Sequence, residues 1–140
     1  MALTEWLIDT SALVRLEAAH DSNEWLTRIQ RGLVRISTVT KLELGYSARS
    51  ADDHRQRLHQ APFVDMPVQY LTLPAEGRAV EVQQELMRAG QHRAPSVPDL
   101  LLAASAELAG LTILHVDKDF ELIAEITGQP VERLALVPTA

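Results

Sequence analysis

Hydrophobic positions along this 140-residue chain fall into two kinds of run. Short, mostly apolar stretches at 5–8, 33–37, 111–116 and 131–136 predict strands buried on both faces. Between them apolar residues recur at helical spacing. Helices are expected over 11–19, from Ser22 through Arg31, over 38–48, over 52–60, over 74–89, from Pro98 or Asp99 through Ala109, and over 119–127. Gly32, Gly90 and Gly110 stand where helices end. The stretch 63–68 has proline at both edges and reads as a weak strand or loop; 91–98, with two prolines, reads as a loop.

The segment 74–89 is the clearest amphipathic helix. Ala79, Val80, Gln83, Leu86 and Met87 share one face, and Arg78, Glu81, Glu85 and Arg88 share the other. The helix after Pro98 carries Leu100-Leu101-Leu102-Ala103-Ala104, leaves little polar surface and belongs at the centre of the molecule. Strands alternating with helices, without repeat or linker, predict a single α/β domain over 1–140, a three-layer α/β/α sandwich with a short central parallel sheet. In such sheets, ligand sites form outside the carboxyl ends of the strands.

Four acids interrupt this pattern. Asp9 closes the run Trp6-Leu7-Ile8, and Asp117 closes the run 111–116. Glu43 shares a helical stripe with Val39, Leu42 and Tyr46, and Asp99 opens the most apolar helix. Each has a structural reading. Asp9, Asp99, Asp117 and Asp119 all suit helix N-caps or first turns, and Thr40 with Glu43 matches a capping box if the helix begins near residue 41. A start at Ser37 or Thr38 instead leaves Glu43 free to face inward. Four carboxylates at core edges need a shared counter-charge, and oxygen ligands suit a divalent cation. Thr10 and Ser11 would brace Asp9 with hydroxyls.

Composition and charge narrow the setting. Hydrophobic residues make up 46% of the chain, as in a globular protein. There is no cysteine, which excludes disulfides and Cys-ligated zinc. The N-terminal residues lack a secretory signal and no run approaches a membrane span, so a cytoplasmic location is expected. A net charge of −6 argues against a generic nucleic-acid binder. Residues 28–57, however, carry seven Arg or Lys against three acids. Arg49 and Arg55 in that stretch are candidates for contact with RNA phosphates, unless the stretch is merely a solvated helix face. Arg93 could neutralise Asp99 or grip a phosphate.

Four segments in this order resemble the PIN-domain ribonucleases, and among them the VapC-type toxins of toxin–antitoxin pairs. They are Leu7-Ile8-Asp9-Thr10-Ser11-Ala12-Leu13, Thr40-Lys41-Leu42-Glu43-Leu44-Gly45, Pro98-Asp99-Leu100-Leu101-Leu102-Ala103-Ala104 and Asp117-Lys118-Asp119-Phe120. The resemblance implies that Asp9, Glu43, Asp99 and Asp117 hold Mg²⁺ or Mn²⁺, with Asp119 as a helper. One departure is His115, where the family often has Thr or Ser, which questions any hydroxyl role there. Of the other histidines, His20, His54 and His59 read as surface residues, as does His92, with a small chance of lying near the site.

The implied chemistry is endonucleolytic hydrolysis of RNA phosphodiester bonds by water activated on the cation, leaving 5′-phosphate and 3′-hydroxyl ends. The implied partners are RNA, a cognate antitoxin whose tail wraps the toxin, and a second copy of the chain. Apolar residues around Trp25 and Phe63 are expected to be exposed for such contacts. Three other readings compete: a non-catalytic α/β interaction module whose acids only cap helices, a doubly wound phosphatase or phosphotransferase, and a nuclease acting on DNA. An aspartyl-nucleophile phosphatase would want a second acid at position 11, which is Ser11.

Overall fold

The structure, a computed structural model, describes residues 3–91 and 93–138. The expected strands form as β1 (Trp6–Ile8), β2 (Val34–Ser37) and β4 (Thr112–His115); β3 (Val68–Gln69) adds a short edge, and the stretch 131–136 gives only β5 (Val131–Arg133), whose Glu132 and Arg133 are exposed because it lies at the other edge of the sheet. The helices are α1 (Thr10–Leu13), α2 (Ser22–Gln30), α3 (Thr38–Tyr46), α4 (Ala51–His59), α5 (Leu73–Arg88), α6 (Val97–Ala109) and α7 (Lys118–Thr127). All five strands run parallel in the order β3-β2-β1-β4-β5.

Alternation along each strand explains the layers. Trp6 and Ile8 of β1 and Leu114 of β4 enter a core with Leu13, Leu16, Trp25, Ile29 and Leu44. Leu7 and Ile113, one position away, enter a second core with Ala79, Val82, Leu86, Leu102, Phe120 and Ile123. Strands buried on both faces therefore read as continuous apolar runs, the expected signature of a covered parallel sheet. The α/β/α layering predicted above is the observed one.

Strand order also places the site. The chain winds outward from β1 through β2 to β3, then crosses to the other side of β1 with β4. Connections thus diverge from the gap between β1 and β4, the topological switch point where open α/β sheets bind ligands. Ile8 lies beside Leu114 at the carboxyl end of that pair.

Several local expectations are corrected. The helix expected over 11–19 is one α turn, then a 3₁₀ turn at Leu16–Ala18. Arg15 (φ −117°, ψ 9°) leaves helical geometry between them, which lets Leu16 return to the core beside Leu13. Of the weak strand or loop expected over 63–68, the non-strand alternative forms: Phe63–Asp65 is a 3₁₀ turn, and only Val68 and Gln69 pair in the sheet.

The buried stripe of α5 is Ala75, Ala79, Val82 and Leu86, while Val80 and Met87 are more than half exposed. That stripe packs with Leu102, Ala103, Phe120 and Ile123, and at its margin Arg78 Nε and Nη2 donate to Glu107 of α6 at 2.6 and 3.1 Å.

Candidate metal centre

Each acid is held by local chemistry at the switch point. Asp9 follows β1 directly and caps α1, its Oδ2 accepting from Ser11 N–H (3.0 Å) and Ser11 Oγ (2.6 Å). Ser11 Oγ also accepts the N–H of Val116 at 3.0 Å, so one hydroxyl spans the ends of β1 and β4. Asp117 caps α7, its Oδ1 accepting from Asp119 N–H at 2.9 Å. Asp99 is the third residue of α6 and completes a capping box. Ser96 Oγ accepts from Asp99 N–H at 3.2 Å, and Asp99 Oδ2 accepts from Ser96 N–H at 3.3 Å.

Glu43 sits on α3, whose cap is Ser37 accepting from Thr40 N–H, so the alternative capping box at Thr40 does not form. The apolar stripe proposed for this helix is also wrong. Leu42 and Tyr46 are 68% and 94% exposed, because α3 turns Thr40 and Leu44 to the core instead. Glu43 is tied to the residue after Asp9, its Oε1 accepting from Thr10 Oγ1 at 2.9 Å.

A pattern runs through these bonds. In Asp9, Glu43, Asp99 and Asp117 one carboxylate oxygen is taken by a neighbouring donor, and among the described residues the other accepts no protein hydrogen bond. Capping and ligand roles are therefore compatible: the cap orients the carboxylate, and the second oxygen remains for a cation.

The tightest convergence is Asp99, Asp117 and Asp119, each offering a carboxylate oxygen, all within 4.8 Å of one another. The helper Asp119 thus belongs to the closest set. The signal for it was the Asp-x-Asp spacing at a helix start, which puts both side chains on the same end of α7. Asp9 and Glu43 stand outside that set, their carboxylates turned toward Ser11 and Thr10.

Crowding raises the cost of ionisation. Burial, with Asp9 and Asp117 adding repulsion, pushes Asp99 up to about 6, against the Ser96 hydrogen bonds that oppose it. Partial burial and the neighbouring Asp117 also raise Asp119. Hard oxygen donors repelling one another at this spacing fit a divalent cation such as Mg²⁺ or Mn²⁺.

His115 has a role that sequence pattern did not reveal. It is fully buried, and its Nδ1 accepts the backbone N–H of Asp117 at 3.1 Å. Burial, with Arg133 adding to it, holds this imidazole below the usual histidine range.

The proposed phosphate contacts fare unevenly. Arg55 pairs with Asp52 at 2.7 Å, Arg57 with Asp53, and Arg35 with Glu5, so much of the basic stretch is locally neutralised. Arg49 and Arg93 are exposed, as are His20, His54 and His59; His92 lies outside the described residues. Trp25 is not exposed: it is 1% accessible, with Arg28 stacked 4.4 Å over its ring. Trp25, half-buried Phe63, Leu13, Leu16, Leu26 and Ile29 line a cleft of about 680 Å³. Among the described residues, no helix is long and apolar enough to cross a membrane.

A family model of the PIN domain matches residues 6–126. A ribonuclease VapC2 from Mycobacterium tuberculosis (strain CDC 1551 / Oshkosh) is 56% identical over 133 residues, covering 95% of this chain and 94% of the relative. Among solved structures, DNA-bound VapBC from Salmonella typhimurium aligns with a TM-score of 0.75 at 19% identity, covering 94% of this chain and 98% of that one. VapBC-5 from Mycobacterium tuberculosis, a member of the VapBC family of toxin-antitoxin systems, aligns at 0.65 and 22% identity, covering 96% and 100%. The chain belongs to the PIN-domain family, among its VapC-type members.

Proposed function

We infer that this chain is a Mg²⁺- or Mn²⁺-dependent endoribonuclease, the toxin half of a toxin–antitoxin pair. The observation that carries this reading is the meeting of Asp99, Asp117 and Asp119 within 4.8 Å at the carboxyl end of the sheet. Asp9 lies near enough to raise Asp99 electrostatically, and Glu43 is tied to the same helix turn through Thr10. Relatives named as VapC ribonucleases support RNA as the substrate.

Asp9, Glu43, Asp99 and Asp117 would hold the ion, with Asp119 beside them, and the chemistry supplied there would be activation of water and neutralisation of charge on the phosphate oxygens. The protein's part is positioning. Ser11 fixes Asp9, Thr10 fixes Glu43, Ser96 fixes Asp99, and Asp119 N–H fixes Asp117. Exposed Arg49 and Arg93 draw in the RNA backbone. Arg55, already engaged by Asp52, contributes less than the sequence suggested.

The toxin-antitoxin system to which a solved relative belongs supports an antitoxin partner for this chain. The apolar cleft beside α1 and α2 suits an antitoxin segment, and exposed Leu42, Tyr46, Val97 and Leu108 suit a second copy. Absence of cysteine suits a reducing, cytoplasmic setting.

The test is incubation with total cellular RNA and Mg²⁺, followed by mapping of 5′ ends. Discrete new 5′-phosphate ends are expected, lost with EDTA and with Asp99→Asn. RNA left intact by wild type, or cut equally by the variant, would remove the nuclease reading. Ser11 disfavours a phosphatase, since its hydroxyl is committed to Asp9 and Val116 where that mechanism needs an acid.

A further inference from the structure

We propose that His115 is a positioning residue for Asp117, acting as a hydrogen-bond acceptor through Nδ1; this rests on Asp117 being a metal ligand. The link from β4 to α7 is two residues long, Val116 and Asp117, and the carboxylate's direction depends on its backbone torsions. Both backbone N–H groups of that link are received by side chains. Ser11 Oγ accepts Val116 N–H at 3.0 Å, and His115 Nδ1 accepts Asp117 N–H at 3.1 Å. Asp117 is thereby held in an extended conformation (φ −126°, ψ 120°) from which its own Oδ1 reaches forward to Asp119 N–H.

The ring is itself immobilised. It is fully buried, its centroid lies 5.5 Å from that of Phe120 in the first turn of α7, and its backbone carbonyl accepts Leu134 N–H beside β5. Phe120 therefore fixes the imidazole against the helix whose start the imidazole positions.

The tautomer supplies a second argument. A ring nitrogen that accepts an N–H carries no proton, so in the neutral ring the proton is on Nε2. Nε2 is buried and has no hydrogen-bond partner among the described residues. Burying an unpaired donor is unfavourable. Leucine or phenylalanine would fill the space beside Phe120 without a buried donor of its own, but would leave the Asp117 N–H without its acceptor. An imidazole at this place is understandable if its acceptor is needed at the Asp117 N–H.

Asparagine and glutamine separate the two ring nitrogens. The amide oxygen of Asn can occupy the position of Nδ1, whereas that of Gln extends toward Nε2. The experiment measures Mn²⁺ affinity by calorimetric titration, cleavage kinetics on a labelled RNA, and metal-free thermal stability for wild type, His115→Asn, His115→Gln, His115→Leu and Asp117→Asn. His115→Asn is expected within about threefold of wild type. His115→Gln and His115→Leu should lose about tenfold or more in Mn²⁺ affinity. They should also lose kcat with KM for RNA unchanged. Wild-type metal binding in both His115→Gln and His115→Leu would overturn the proposal, as would an Asn variant as impaired as the Gln variant. Retained metal affinity in Asp117→Asn would instead remove the ligand reading on which it rests.

Discussion

Asp99 concentrates the site's electrostatic cost in one residue. Its carboxyl is pushed up to about 6 by burial and by Asp9 and Asp117, above the ordinary value of 3.8. Between those values the folded state binds more protons than the unfolded chain. Metal-free stability contributed by this group therefore falls as pH rises from about 4 to about 6, then levels. Asp99→Asn keeps an acceptor for Ser96 N–H and carries no charge. In EDTA the variant should melt above wild type at about pH 7, the gap closing toward about pH 4. Parallel melting profiles across that range would contradict the assigned cause. Ionised Asp99 is also the form a cation needs, so Mn²⁺ affinity should rise through the same interval.

At the scale of elements, two glycines with open surroundings should respond oppositely to the same methyl group. Gly110 caps α6 with φ +71°, and a Cβ there would meet nothing within 4 Å. Gly110→Ala therefore isolates left-handed backbone strain and should cost about 1–2 kcal/mol. Gly77 lies inside α5, where an added Cβ would likewise meet nothing within 4 Å. Gly77→Ala should add about 0.5–1 kcal/mol, because helix interiors disfavour glycine's conformational freedom. Chemical denaturation measures both, and shifts of like sign would refute the contrast. Position 110 was legible as a helix end from sequence. The face of α5 was not: residue spacing alone allowed Val80 and Met87 inside, and packing against α6 and α7 selected Ala75, Ala79, Val82 and Leu86 instead.

For the whole molecule, metal binding and folding are linked. An ion that binds only the folded state adds about 2.7 kcal/mol when present at a hundred times its dissociation constant. Mn²⁺ should raise the melting temperature of wild type, and the rise should vanish in Asp99→Asn and Asp117→Asn. An equal rise in all three would place the ion elsewhere. The order of strands and helices, the burial of β1, β2 and β4 on both faces, and the standing of Asp9 and Asp117 at strand ends were readable from the residues in a row, whereas β5 is largely exposed. Those properties follow from spacing over a few residues. Which acids meet was a matter for the folded chain, because β4 must first lie beside β1 to bring the start of α7 to the first turn of α1. Folding likewise settled that Thr10 Oγ1 donates to Glu43, that His115 Nδ1 accepts the Asp117 N–H, and that much of the basic stretch is paired with nearby acids. These are contacts between side chains whose partners are fixed by strand order and helix packing, and no local pattern encodes that distance.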